Sequence, residues 1–277
     1  MGRRLGQHFL NDPAILDRIV AALDPTPQDT VIEIGPGKGS LTRRLAPRVG
    51  RVVAIEKDAK LASDLGEGGR GKGEGYLPGN VKVFSADALE ADWARLASEQ
   101  TLPSSPFPLP RFKVVGNIPY NITSPLIEKA LQPPAPIVVV MLVQKEVADR
   151  LVSAPGSREY GGLTVGVQAV AAVERLFVVR AGAFAPPPKV DSAVVRLVPL
   201  AHPLVSERER AGFRTFVTGL FGKRRKQLIR SLRDFAGLTR EDTAAVLHRL
   251  EIPETDRVEV LSPARLVALF RAVCVQL

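Results

Sequence analysis

"VIEIGPGKGSLTRRL", residues 31–45, decides the fold. An apolar run carrying one carboxylate ends on Gly35, Gly37 and Gly39, and a helical pattern follows. That is a strand, a tight loop and a helix, the opening unit of a parallel α/β sheet. The glycines let the backbone approach a ligand with no Cβ in the way. A dinucleotide fingerprint would need G-x-G-x-x-G, and Ser40 stands where its third glycine belongs. The loop therefore suits a ligand without a pyrophosphate. Glu33 sits two residues before the first glycine, where a carboxylate suits an ammonium group or a bound water.

Outward from this unit, strand-like runs recur at 51–56 (RVVAIE), 81–87 (VKVFSAD), 112–117 (FKVVGN), 137–143 (IVVVMLV) and 174–179 (ERLFVV). A seventh, 192–200 (SAVVRLVPL), alternates as an antiparallel edge or penultimate strand would. Continuous Val and Ile between helices indicate a parallel sheet covered on both faces. Asp12 and Pro13 open a helix over 13–23. Inserts at 66–75 (Gly-rich) and 101–111 (Pro-rich) are expected to be surface loops without assigned function. After Pro203 the strand patterns stop, so a catalytic domain over 1–200 and a helical domain over 201–277 are expected.

The chain has 277 residues, one cysteine and three scattered histidines, which excludes a disulfide framework and leaves no metal constellation. No run reaches the length of a membrane span, and no signal segment follows the basic start. A cytoplasmic protein with no membrane partner is expected. The formal net charge is +9, which favours a polyanionic partner. In "LFGKRRKQLIRSLRDF" (220–235), Lys223, Arg224, Arg225, Lys226, Arg230 and Arg233 at helical spacing would cover one helix surface. Such a run is either a solvated helix face or a phosphate-binding patch.

Acids recur at the strand ends. Glu56 follows Gly35 by roughly 20 residues, where an acid accepts from ribose hydroxyls. Asp87 ends the third strand and is placed to accept from the amine of an adenine. Each acid alone is more often a capping or surface residue; their repetition at one sheet edge favours a nucleoside. A nucleoside joined to an amino acid describes S-adenosylmethionine. The fourth strand brings "GNIPY" (116–120) to the same edge. The Asn117 side-chain oxygen and the Ile118 carbonyl would accept from an adenine amine and expose its lone pair. Pro119 fixes the turn, and Tyr120 offers a stacking face. Catalysis by positioning, without a strong base, follows.

These motifs resemble the ribosomal RNA adenine-N(6) dimethyltransferases, especially their bacterial small-subunit branch. The resemblance runs through "LGQHFLND" (5–12), "EIGPGKGSLT" (33–42), "AIEKD" (54–58), "ADAL" (86–89), "GNIPYNITSPL" (116–126), "MLVQKEVADRL" (141–151), "PGSREYGGLTV" (155–165), "AFAPPPKVDSAVVRL" (183–197) and "LFGKRRKQLIRSL" (220–232). It implies a Rossmann-like, seven-stranded class I methyltransferase sheet with a small all-helical C-terminal domain. It implies a cofactor held by Gln7, His8, Leu10, Glu33, Gly35, Gly37, Gly39, Glu56, Lys57, Asp87, Ala88 and Asn117. Catalysis falls on Asn117 to Tyr120, with Phe184 as a second aromatic at the target base. Lys223, Arg224, Arg225, Lys226 and Arg230 become the expected RNA contacts.

The implied substrate is a pair of adjacent adenines in the 3′-terminal hairpin loop of 16S rRNA, modified during assembly of the small subunit by a monomer. The sequence departs from many relatives at His8, commonly Asn, and at Ile118, commonly Leu. Two other readings stand beside this one: a large-subunit adenine methyltransferase, and a non-catalytic assembly factor on the same scaffold. His8 is alternatively a capping or core histidine, and Phe184 a loop anchor.

Overall fold

The computed structural model describes residues 8–68, 77–98 and 112–274. Gln7, the Gly-rich stretch beyond Gly68 and the whole of the Pro-rich insert lie outside the described residues. Among those described, seven strands form one sheet: β1 (Thr30–Ile34), β2 (Arg51–Glu56), β3 (Val81–Ser85), β4 (Phe112–Asn117), β5 (Val139–Gln144), β6 (Ala171–Val179) and β7 (Ser192–Pro199). The order is β3-β2-β1-β4-β5-β7-β6. β1 to β5 pair in parallel, and β7 runs antiparallel to β5 in the penultimate position. A separate two-residue pairing joins Phe9–Leu10 to Phe184–Ala185.

The absence of polar alternation in the central strands has a simple cause. Val31, Val52, Val115, Val140 and Val194 are fully buried and pack with Leu16, Ile19 and Val20 of the helix Pro13–Ala22. On the alternate positions Ile32, Val53, Val114, Val139 and Met141 are equally buried. Each such side chain contributes about 1.5–3 kcal/mol, so neither face tolerates charge without a reason. Asp12 caps that helix, its Oδ1 accepting from the Ile15 N–H at 3.1 Å, with Pro13 at the first position.

The chain divides into two compact units, Met1–Ala148 with Glu174–Pro199, and Asp149–Val173 with Leu200–Leu277. Residues 149–173, expected within the first domain, pack with the C-terminal helices. The cause is local. Tyr160 is fully buried and its hydroxyl donates to the Leu261 carbonyl at 2.8 Å. The Gly156 N–H donates to the Glu259 carbonyl at 2.7 Å, and that of Leu204 to Ala169 at 2.8 Å.

Within this second unit the basic run departs from the single helix expected of it. Helix Glu207–Phe221 ends before it, residues 222–226 turn, and a second helix runs over Leu228–Ala236. The Phe235 ring meets Phe216 edge-on at 5.4 Å and fills the space where a Cβ on Gly219 would stand. A straight helix would hold residues 216 and 235 roughly 28 Å apart, so this aromatic contact requires the reversal. Lys223 and Lys226 reach Asp234 at 2.9 and 3.1 Å. Arg224 pairs with Glu259 and also donates to the Arg158 carbonyl at 2.8 Å and the Ser157 carbonyl at 3.1 Å. Arg224 is therefore a structural tie rather than an open phosphate contact. Arg225, Arg230 and Arg233 remain exposed.

Candidate active site

The strand order reverses direction between β1 and β4, and the crevice at their carboxyl ends is where open α/β sheets bind ligands. Register places Ile34 opposite both Ile55 and Gly116, so Gly35, Glu56 and Asn117 arrive at one edge. Gly35, Gly37 and Gly39 all adopt positive φ, at 65°, 56° and 78°. A Cβ on Gly37 would stand 2.9 Å from the Phe9 ring, so the loop and the leading segment close on each other only because that position is glycine. The resulting cleft is lined by His8, Phe9, Leu10, Glu33, the glycine loop, Glu56 and the whole of Gly116–Tyr120.

The Asn117 Nδ2 donates to the His8 carbonyl at 2.9 Å. A carbonyl only accepts, so this bond fixes which way the amide faces and leaves Oδ1 as the acceptor. The Ile118 side chain is buried and its N–H donates to the Leu142 carbonyl at 3.2 Å, which seats the loop on β5. Pro119 follows, so no N–H competes beside the Ile118 carbonyl. Tyr120 is half-buried; its hydroxyl lies 2.9 Å from the Ser192 Oγ, and its ring is offset-stacked with His8 at 6.1 Å and 28°. The His8 Nδ1 donates to the Pro186 carbonyl at 2.8 Å.

Two buried carboxyls face this cleft. Buried Asp29 is paired with Lys113 at 2.8 Å, whereas Glu33 and Glu56 have no ion-pair partner among the described residues. Glu56 accepts from the Gly37 N–H at 3.1 Å and the Asp58 N–H at 2.9 Å, and a carboxylate retains further acceptor positions for hydroxyls. Glu33 is 1% exposed and its Oε2 has no hydrogen-bond partner. Burial pushes its carboxyl up to about 7, and the nearby Glu56 charge adds to the rise, while Thr42 and Arg43 oppose it. A buried, unsatisfied carboxyl at a ligand cleft is a group awaiting a partner.

The expected site residues do not all converge. Glu33, Gly35, Gly37, Glu56, His8, Leu10 and Asn117–Tyr120 line the cleft. Gly39 lies at its margin, where a Cβ would meet the Leu65 side chain. Asp87 is set aside from the lining: Lys57 holds its Oδ2 at 2.6 Å and the Leu89 N–H its Oδ1 at 2.9 Å. The lysine is the main reason the Asp87 carboxyl stays below its usual range. Ala88 is buried, its carbonyl accepting from the Trp93 indole at 2.9 Å. Phe184 is 5% exposed and packed in the core opposite Leu10, so it offers no open stacking face here. Leu16, Ile19, Pro36, Lys38, Ser40 and Leu41 line the cleft as well. Pro36 to Leu41 lie inside the glycine motif, whereas Leu16 and Ile19 carry no signal beyond helical spacing.

The unsatisfied Glu33 carboxyl, the positive-φ glycines and the Glu56 acceptor together fit a ligand that joins an ammonium-bearing amino acid to a nucleoside. The family model "Ribosomal RNA adenine dimethylase" matches residues 2–273. The chain belongs to the ribosomal RNA adenine dimethylase family. Relatives of this dimethylase include the Ribosomal RNA small subunit methyltransferase A of Pelotomaculum thermopropionicum, 42% identical over 94% of this chain and 87% of that one. The protein of the same name from Nitrosococcus oceani is 38% identical over 97% and 94%. Among solved structures, a dimethyladenosine transferase from Plasmodium falciparum matches with a TM-score of 0.76 at 27% identity, covering 95% of this chain and 96% of that one. The 23S rRNA methyltransferase ErmE matches at 0.68 and 29%, covering 96% and 99%. The dimethylase fold is thus the class I methyltransferase sheet with C-terminal helices. Among the described residues no helix is long and apolar enough to cross a membrane.

Proposed function

We propose that this protein transfers methyl groups from S-adenosylmethionine to the exocyclic amines of two adjacent adenines in the 3′-terminal hairpin loop of 16S rRNA. It acts as a cytoplasmic monomer on the assembling small subunit. When bound, the cofactor supplies a methyl group already activated on a sulfonium. Glu33 receives the cofactor's ammonium, and Glu56 accepts from its ribose.

The Asn117 orientation carries the reading. Asn117 lines the cleft, and its Oδ1 is left as an acceptor because its Nδ2 is committed to the His8 carbonyl. In the first transfer, with the Ile118 carbonyl, it accepts the two hydrogens of the adenine amine and turns that nitrogen's lone pair outward. One of those hydrogens leaves as a proton once the methyl is on nitrogen, and the second transfer keeps a single such hydrogen bond. Tyr120 holds the base by its ring, an interaction worth about 1–3 kcal/mol. The base leaves its stack to enter, at a cost smallest in a loop.

The ErmE likeness favours a second reading, modification of large-subunit RNA. Against it stand the higher identities to relatives named for the small subunit. The test is incorporation of labelled methyl into subunits from cells lacking the modification. Label in the small subunit, mapped to two adjacent adenines, is expected; label confined to the large subunit would overturn the assignment.

A further inference from the structure

Ser192 opens β7 with its side chain fully buried, and Ala193, Val194 and Val195 after it are apolar and equally buried. A hydroxyl in such surroundings carries a desolvation penalty unless it is hydrogen-bonded. Its partner is the Tyr120 hydroxyl at 2.9 Å, 72 residues away in the chain. The two ends of this bond differ in rigidity. Ser192 pairs in register with Gln144 of β5, and the Lys145 N–H continues the ladder to the Asp191 carbonyl at 3.0 Å. Asp191 in turn accepts from the Ala181 N–H at 3.0 Å. Tyr120, by contrast, is half-buried on the turn that follows β4.

A hydroxyl contact at the far end of a ring removes its swing while leaving its faces available. We propose that Ser192 is a positioning residue for Tyr120. Through its hydroxyl it holds the tyrosine ring at the attitude in which a flat base stacks beside the Asn117 amide. Ser192 thereby sets how well the target base docks and leaves cofactor binding alone. The role in docking rests on the adenine-methylating reading above; the contact itself does not.

The test has two arms. The chain has three tyrosines, Tyr76, Tyr120 and Tyr160, so ring-¹³C tyrosine labelling gives a readable NMR spectrum without RNA. Ser192→Ala is expected to shift or broaden the Tyr120 ring signals and leave those of Tyr160 in place. In the second arm, Ser192→Ala and Tyr120→Phe each lower kcat on undermethylated small-subunit RNA by about five- to tenfold, one hydrogen bond's worth, with cofactor Kd unchanged. The double variant falls no further than either single one. Tyr120→Phe removes the same bond from the half-buried side, so the second arm survives if the buried Ser192 variant folds poorly. Unmoved Tyr120 signals, unchanged kcat, or additive losses would overturn the role of Ser192. A wild-type protein that methylates no small-subunit adenine, while its Tyr120 signals still respond to Ser192→Ala, would overturn the functional reading instead.

Discussion

The Asn117 side-chain nitrogen donates to the His8 backbone carbonyl at 2.9 Å, joining the end of β4 to the leading segment of the chain. That segment is held from its other side as well, by Leu10 paired with Phe184 and by the His8 ring on the Pro186 carbonyl. The Asn117 amide is thus oriented by backbone that two distant stretches of sequence hold in place.

Because the His8 carbonyl does the orienting, His8→Ala should leave the Asn117 amide in place. The ring contact with Tyr120 is lost, and kcat is expected to fall by no more than about fivefold, since a stacking contact of this kind is worth ~1 kcal/mol. Steady-state methylation assays check this. A loss as large as that of Asn117→Ala would assign the ring itself a chemical role.

If Glu33 receives the cofactor's ammonium as proposed, cofactor affinity depends on pH. With its carboxyl at about 7 in the free protein, the group is neutral below that pH and charged above it. A cationic cofactor prefers the charged form, so binding strengthens as pH rises through 7. Between pH 6 and pH 8 the dissociation constant should fall roughly tenfold, with proton release at the lower pH. Isothermal titration in buffers of different ionisation enthalpy reads both, and Glu33→Gln should abolish the dependence.

The same raised value predicts an effect on the ligand-free fold. From pH 4.5 to 7 the unfolded chain loses this proton and the folded chain keeps it. This one group therefore removes stability with rising pH, by on the order of 3 kcal/mol. Denaturant midpoints of wild type and Glu33→Gln should diverge across that window, the variant gaining relative to wild type as pH rises.

Gly116 occupies a position where a Cβ would stand 2.6 Å from the Ile34 carbonyl and 2.8 Å from the Ile118 Cδ1. Gly116→Ala should push β4 from β1, displace Asn117 and cost about 1–3 kcal/mol of stability. Thermal unfolding and methylation rate together check it. A variant with native stability and full activity would show that the strands separate more freely than the packing implies.

The basic residues should divide into two classes. Arg225→Ala with Arg230→Ala is expected to weaken RNA binding and flatten its salt dependence by about one unit of slope per lost phosphate contact. Arg224→Ala should instead lower stability by about 1–3 kcal/mol, because Glu259 loses its charged partner. Salt-titrated RNA binding and thermal melts separate the two.

What the sequence made legible followed from periodicity and spacing. All seven strands and the capped first helix come from patterns within a dozen residues, and the cleft placement of Glu33, Glu56 and Asn117 from the recurrence of such strand ends along one sheet edge. Long-range contacts were not legible. Nothing near Asp87 reveals that Lys57 would occupy its carboxylate, and nothing in the basic run reveals that Phe235 must reach back to Phe216. Local sequence leaves Phe184 open between a stacking ring and a loop anchor, because it cannot show the pairing with Leu10. Ser192 read only as the polar start of an alternating strand.

The central claim is that Asn117 acts on the amine and not on cofactor binding. It is tested most directly by single-turnover methyl transfer to undermethylated small subunits with Asn117→Ala, with cofactor affinity measured on the same sample. The expected result is a rate lowered by about 10²-fold or more, with cofactor affinity within a few-fold of wild type. A variant that transfers methyl at the wild-type rate would contradict it, as would one whose whole loss is recovered by raising the cofactor concentration.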